Sequence, residues 1–130
     1  MACTATLVPI GPQPVDTTQN SIIAKFQFKF SGTYSSTSNH GDLVSLVSAY
    51  LPVGQLPEQV DFFEAPPAGT APTGYSFYYC PGTTLANGRI CVFQNGAGSA
   101  PNTEISQNSG YPSALTGTTY IYAYVTFPAY

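Results

Sequence analysis

The chain contains no tryptophan, one methionine and one histidine, and only 7% of its residues are Asp, Glu, Lys or Arg. Ordinary soluble domains carry about 25% charged residues, so this surface must be built mainly from hydroxyls, amides and backbone. Three Lys or Arg against six Asp or Glu leave a formal charge of -3. That is too small to steer a ligand and of the wrong sign for a phosphate backbone, which argues against nucleic acid as a partner. Long apolar runs are missing as well. The longest stretches are broken by Ser, Gln or Pro, far short of the roughly 20 residues a helical membrane span requires. The start, Met1-Ala2-Cys3-Thr4-Ala5-Thr6-Leu7, has no basic region followed by an apolar run. No secretory signal is therefore expected, and the chain should fold where it is made.

Chemistry-bearing residues are equally sparse. The lone His40 stands in a loop of Ser, Thr and Asn before Gly41-Asp42, with no nucleophile motif beside it, and reads as an exposed loop histidine. Cys3, Cys80 and Cys91 match no zinc spacing, which groups ligands in close pairs. Asp42 and Asp61 lack the repeated Asp/Asn pattern of a calcium loop. In a reducing compartment the three cysteines are expected as free thiols, with Cys80 and Cys91, on the two arms of one expected hairpin, as the pairing left open. A glycosidase needs two facing carboxylates. Asp61 and Glu64 are an odd number of positions apart and so point to opposite faces of one strand. Asp16, Asp42, Glu58 and Glu104 are scattered along the chain. No phosphate-cradling glycine motif occurs. The expectation is a protein with no catalytic centre, no metal and no cofactor.

What the chain does have is apolar and aromatic mass: 43% hydrophobic residues, with 10 Tyr and 8 Phe among its 130 residues. That is enough for the core of one domain. Ile22, Ala24, Phe26, Phe28 and Phe30 alternate with Ser21, Ile23, Lys25, Gln27 and Lys29, the period of a strand with one buried face. Residues 42–46 read as a strand start followed by one helical turn. Residues 59–64, 75–80, 89–94 and 120–127 read as further strands, those at 75–80 and 89–94 forming a hairpin across Pro81-Gly82-Thr83-Thr84-Leu85-Ala86-Asn87-Gly88. In that connection Asn87-Gly88 is expected to supply positive-φ positions. Residues 31–41, 65–74 and 95–110 are loops. Pro9, Pro12 and Pro14 mark residues 1–20 as an extended N-terminal arm that either packs along a neighbouring subunit or is loose. Residues 21–130 are expected as an all-β, antiparallel β-sandwich or jelly-roll-like domain with long loops.

Tyrosine covers apolar area at low rotamer cost and keeps a hydroxyl for the rim of an interface. Tyr120, Tyr122 and Tyr124 share one face of the last strand, which suits either a subunit contact or a second sheet of the same subunit. Tyr75, Tyr78 and Tyr79 form a candidate ligand face, the alternative being a carbohydrate-binding sandwich whose aromatics stack on sugar rings.

Beyond these patterns, residues 22–128 resemble small structural proteins of tailed bacteriophages. The resemblance is carried by the strand at 26–34, the Gly41-Asp42-Leu43 step, the aromatic strand Tyr75–Cys80 and the "PGTTLANGR" segment from Pro81 to Arg89. It continues through Gly110-Tyr111-Pro112-Ser113-Ala114-Leu115-Thr116-Gly117-Thr118-Thr119 ahead of the final strand. It implies a β-sandwich virion protein of the capsid decoration, or cement, type. Such a protein is made in the host cytoplasm and carried as a homo-oligomer, a trimer, on the capsid exterior against the major capsid protein. On that reading Pro9, Pro12, Pro14 and the Tyr120, Tyr122, Tyr124 stripe are the candidate contacts, and a head fibre or tail adhesin module is the alternative.

Overall fold

The computed structural model describes residues 3–10, 15–17, 21–34, 41–48, 50–51, 55–106 and 109–128. Pro12, Pro14 and His40 lie outside them. The described residues are all-β, with eleven strands and no helix.

The larger sheet grows from the alternating segment. Strand β3 (Ser21–Phe30) pairs antiparallel on one side with β1 (Cys3–Val8) and with the short β2 (Asp16–Thr17), and on the other with β11 (Ile121–Pro128). Beyond β11 lies β6 (Gln59–Glu64), also antiparallel. Period two sorts the side chains. Ala24, Phe26, Phe28 and Phe30 of β3 and Ile121, Ala123, Val125 and Phe127 of β11 are buried, while their neighbours face outward.

The second sheet is built on β8 (Gly88–Gln94), flanked on one side by β7 (Tyr75–Cys80) and on the other by β5 (Asp42–Val44) and β9 (Thr103–Glu104). A two-stranded ribbon of β4 (Thr33–Tyr34) and β10 (Ser109–Gly110) completes the fold. The sheets face each other with β1 beside β5 and β6 beside β7, giving a sandwich-like domain. Between them Phe77 stacks on Phe30 at 5.6 Å and meets Phe62 at 5.8 Å. Fully burying a side chain of this kind contributes roughly 1.5–3 kcal/mol of transfer free energy.

Several polar groups of the interior are paired. The Asp42 carboxylate, 3% exposed, accepts a 2.6 Å hydrogen bond from the Tyr111 hydroxyl. Tyr34 donates to Glu104 at 2.6 Å and accepts from the Val92 amide at 3.3 Å. The Arg89 guanidinium donates to the Gly41 carbonyl at 2.9 Å.

Three local expectations change. The start of the chain is extended, yet Cys3–Val8 is an integral strand of the same sheet, with Cys3 fully buried, rather than an arm lying apart from the sandwich. Cys3, Ala5 and Leu7 alternate with Thr4 and Thr6, so one face is apolar enough to join the core. The strand from residue 42 ends at Val44, and residues 45–48 take no regular structure. Gly88 is not among the positive-φ glycines. It opens β8, and a Cβ there would lie 2.1 Å from the Tyr79 hydroxyl, so its missing side chain makes room for a ring. The connection is held instead by Asn87, whose side-chain oxygen accepts from the Thr84 amide at 2.9 Å and whose amide donates to the Thr83 hydroxyl at 2.8 Å.

Candidate functional site

The register of the larger sheet gathers aromatics on its outward face. Tyr122 stands opposite Gln27 on β3 and Phe63 on β6, and Tyr124 stands opposite Lys25 and Asp61. The Phe63 ring stacks on Tyr122 at 5.6 Å and on Tyr124 at 5.2 Å, with interplanar angles of 23° and 20°. The Lys25 ammonium lies 4.6 Å from the Tyr122 ring centroid and 5.8 Å from that of Phe63. Contacts of this kind contribute about 0.5–1 kcal/mol at an exposed site. The result is a ridge of three stacked rings capped by one cation, with Tyr124 42% exposed.

Tyr120 does not join this ridge. It precedes β11, its carbonyl accepts from the Ala65 amide, and its hydroxyl donates to the Ala71 carbonyl at 3.4 Å, tying down the 65–74 loop. Of the three tyrosines expected as a stripe, two meet. The third member of the cluster is Phe63, which the sequence presents only as one residue of a short strand. Its place in the ridge depends on β6 pairing with β11, a register that period two alone does not fix. Pro9 is exposed just after β1.

A second feature adjoins the ridge. Among the described residues, β6 pairs only with β11 and β7 only with β8, so both are edge strands at the same side of the sandwich. A cleft of about 480 Å³ runs between them, lined by Val60, Phe62, Phe63, Tyr75, Phe77 and Tyr79 among others. The Ala65 amide bonds toward β11 and the Asn95 amide bonds the Gly74 carbonyl. Ladder bonds fall on alternate residues, so the main chain of Val60, Phe62 and Glu64, and of Tyr75, Phe77 and Tyr79, faces away from the neighbouring strand. At one end Glu64 accepts from the amide and hydroxyl of Thr73, at 2.9 and 3.1 Å. Asp61, on the opposite face, accepts from Gln59. These two carboxylates point apart, as their odd spacing requires.

Tyr75, Tyr78 and Tyr79 do not share one face. Tyr75 and Tyr79 turn inward and pack on the core, while Tyr78 turns outward, 53% exposed, its ring edge-on to Phe93 at 5.4 Å. Strand alternation separates them. All three border the cleft, but as rim and wall rather than as a flat platform. The buried Tyr79 hydroxyl has no hydrogen-bond partner among the described residues. Burial, followed by the neighbouring Cys80, pushes its ionisation upward.

Three acidic hydroxyls and thiols in the interior are also held in their neutral forms. Burial raises the Tyr111 phenol, reinforced by its bond to Asp42. It likewise raises Tyr34, reinforced by Glu104, and the Cys3 thiol, reinforced by the Asp42 charge. All three serve the core rather than an open site. Among the described residues, no three of His, Cys, Asp and Glu gather where they could hold a metal ion, and no helix is long and apolar enough to cross a membrane. Comparison of the chain with protein-family models, with curated proteins and with solved structures found no match.

Proposed function

We propose that this chain is a non-catalytic structural protein of a virion, a capsid decoration protein that sits as a homo-oligomer on the outer surface of the shell. The observation that carries the reading is the ridge of Tyr122, Phe63 and Tyr124 on the outward face of the larger sheet. Stacked rings turn their faces toward one another and present edges and hydroxyls. With Gln27, Gln59 and Thr126 in the same outward rows, this composition suits a protein contact, in which aromatic residues are enriched and charge is depleted. A sugar platform needs open ring faces, and those of Phe63 are largely covered by its neighbours. The resemblance of Gly41-Asp42-Leu43, Pro81 to Arg89 and Gly110 to Thr119 to small phage structural proteins supports the same reading.

The partners on this proposal are other copies of the chain, as a trimer joined through the ridge, and the major capsid protein, with neither nucleic acid nor membrane involved. Each oligomer bridges neighbouring coat subunits, and the shell is stabilised by mass action at each site, a standard contact burying ~1,600 Å². The test is to add purified protein to shells lacking it and to image the particles. Density on the exterior supports the proposal, whereas density inside the particle or on the tail overturns it. Binding to a glycan array without binding to shells would favour a carbohydrate-binding module instead.

A further inference from the structure

Cys80 and Cys91 face each other across the β7–β8 hairpin. Cys80 is paired in register with Arg89, and Cys91 with Tyr78. The two cysteines are therefore diagonal neighbours on the outward side of the second sheet. Both are thiols, and their sulfur atoms are 3.4 Å apart. Disulfide sulfurs stand at ~2.05 Å, so bond formation requires the atoms to close by about 1.4 Å, a distance that small side-chain rotations cover. The environments of the two differ. Cys80 is exposed, whereas Cys91 is 5% exposed and lies beneath Gly41, where a Cβ would stand 3.0 Å from its sulfur.

We propose that Cys80 and Cys91 form a reversible intramolecular disulfide, with exposed Cys80 as the thiol that meets the oxidant and buried Cys91 as the resolving thiol. With a small disulfide such as oxidised glutathione, the Cys80 thiolate attacks one glutathione sulfur. The glutathione S–S bond breaks, one glutathione leaves as thiolate, and Cys80 carries the other. The Cys91 sulfur then attacks the Cys80 sulfur, and its proton goes with the second departing glutathione. Two protein thiols are oxidised and one glutathione disulfide is reduced to two glutathiones. Burial and the adjacent Cys80 hold the Cys91 thiol up at about 12, which agrees with its acting second. The bond staples edge strand β7, one wall of the cleft, to β8 at the base of the 81–87 connection. Cys3, fully buried in the other sheet, takes no part.

The experiment treats the folded chain with oxidised glutathione without oxygen, quenches with acid, and reads intact mass and disulfide-mapped peptides. The expected product has lost two hydrogens, retains no glutathione, links Cys80 to Cys91 and returns to the starting mass with dithiothreitol. Cys91→Ser should keep one glutathione on Cys80, and Cys80→Ser should not react. Glutathione retained on Cys80 of the unsubstituted chain, a disulfide-linked dimer, or no reaction at all would overturn the proposal. The unsubstituted chain decides the matter without either variant.

Discussion

The Tyr111 hydroxyl reaches the buried Asp42 carboxylate at 2.6 Å, joining the segment before the last strand to the first strand of the second sheet. Replacing Tyr111 with Phe keeps the ring, and with it the contacts to Phe30 at 5.1 Å and Tyr34 at 5.6 Å, but removes the donor. Losing a hydrogen bond to a charged group costs about 1.5–3 kcal/mol. Urea unfolding of Tyr111→Phe should show that loss at an unchanged slope, and an unchanged midpoint would contradict the role given to this bond.

Alkaline pH should unfold the protein. Tyr34, Tyr79 and Tyr111, with an ordinary value of 10.0, and Cys3 and Cys91, with 9.0, are all raised in the fold, chiefly by burial. The folded state therefore holds protons that the unfolded chain releases. The stability these groups provide is complete below their ordinary values and is lost progressively as pH climbs toward the raised ones. Thermal midpoints should be level from about pH 7 to about 9 and fall above that. Tyr111→Phe should flatten the fall, since it removes one raised group.

Gly41 has φ of +95°, and a Cβ there would lie 2.9 Å from the Ile90 carbonyl oxygen as well as against Cys91. Both the backbone and the space call for glycine. Gly41→Ala should destabilise by about 1–3 kcal/mol from conformational strain alone, measurable as a lower denaturant midpoint. Gly69 also has a positive φ, of +87°, but none of the described residues lies within 4 Å of its Cβ position. Gly69→Ala should therefore cost less, and equal losses would show that crowding at residue 41 is unimportant.

Tyr124 is more exposed than Phe63 or Tyr122, so it separates association from folding. Tyr124→Ala should change unfolding free energy by less than about 1 kcal/mol while weakening self-association at least about tenfold. Light scattering and sedimentation across a concentration series read the second quantity. A chain that stays monomeric at high concentration before any substitution would remove the self-assembly role of the ridge.

The strands with strong alternation were legible: β3 and β11 follow directly from apolar residues at every second position, the shorter β6, β7 and β8 from apolar segments set between turn residues, and with them the all-β, sandwich-like class. Strand β1 was harder to see, because Cys3 and Ala5 are small and the nearby prolines dominate the local signal. The relationships that build the site were not legible. Phe63 meets Tyr122 and Tyr124 only through the register of β6 on β11, and Asp42 meets Tyr111 only once both sheets are stacked. Period two assigns a residue to a face, but it does not say which distant strand will supply that face's neighbours. The same limit applied to Tyr75, Tyr78 and Tyr79, where similar residue type suggested a common surface that strand alternation divides.

The placement of β11 between β3 and β6 has a kinetic consequence. Strand β6 has no ladder partner among the described residues except β11, so the larger sheet cannot close until that late segment arrives. Its pairing joins residues such as Phe28 and Ile121, a long loop closure that must precede most of the hydrophobic gain. Folding should therefore be slow for a domain of this size. Until then β6, with Val60, Phe62 and Phe63, stands exposed along both edges, which makes the newly made chain most vulnerable to association with its neighbours just before the final strand docks.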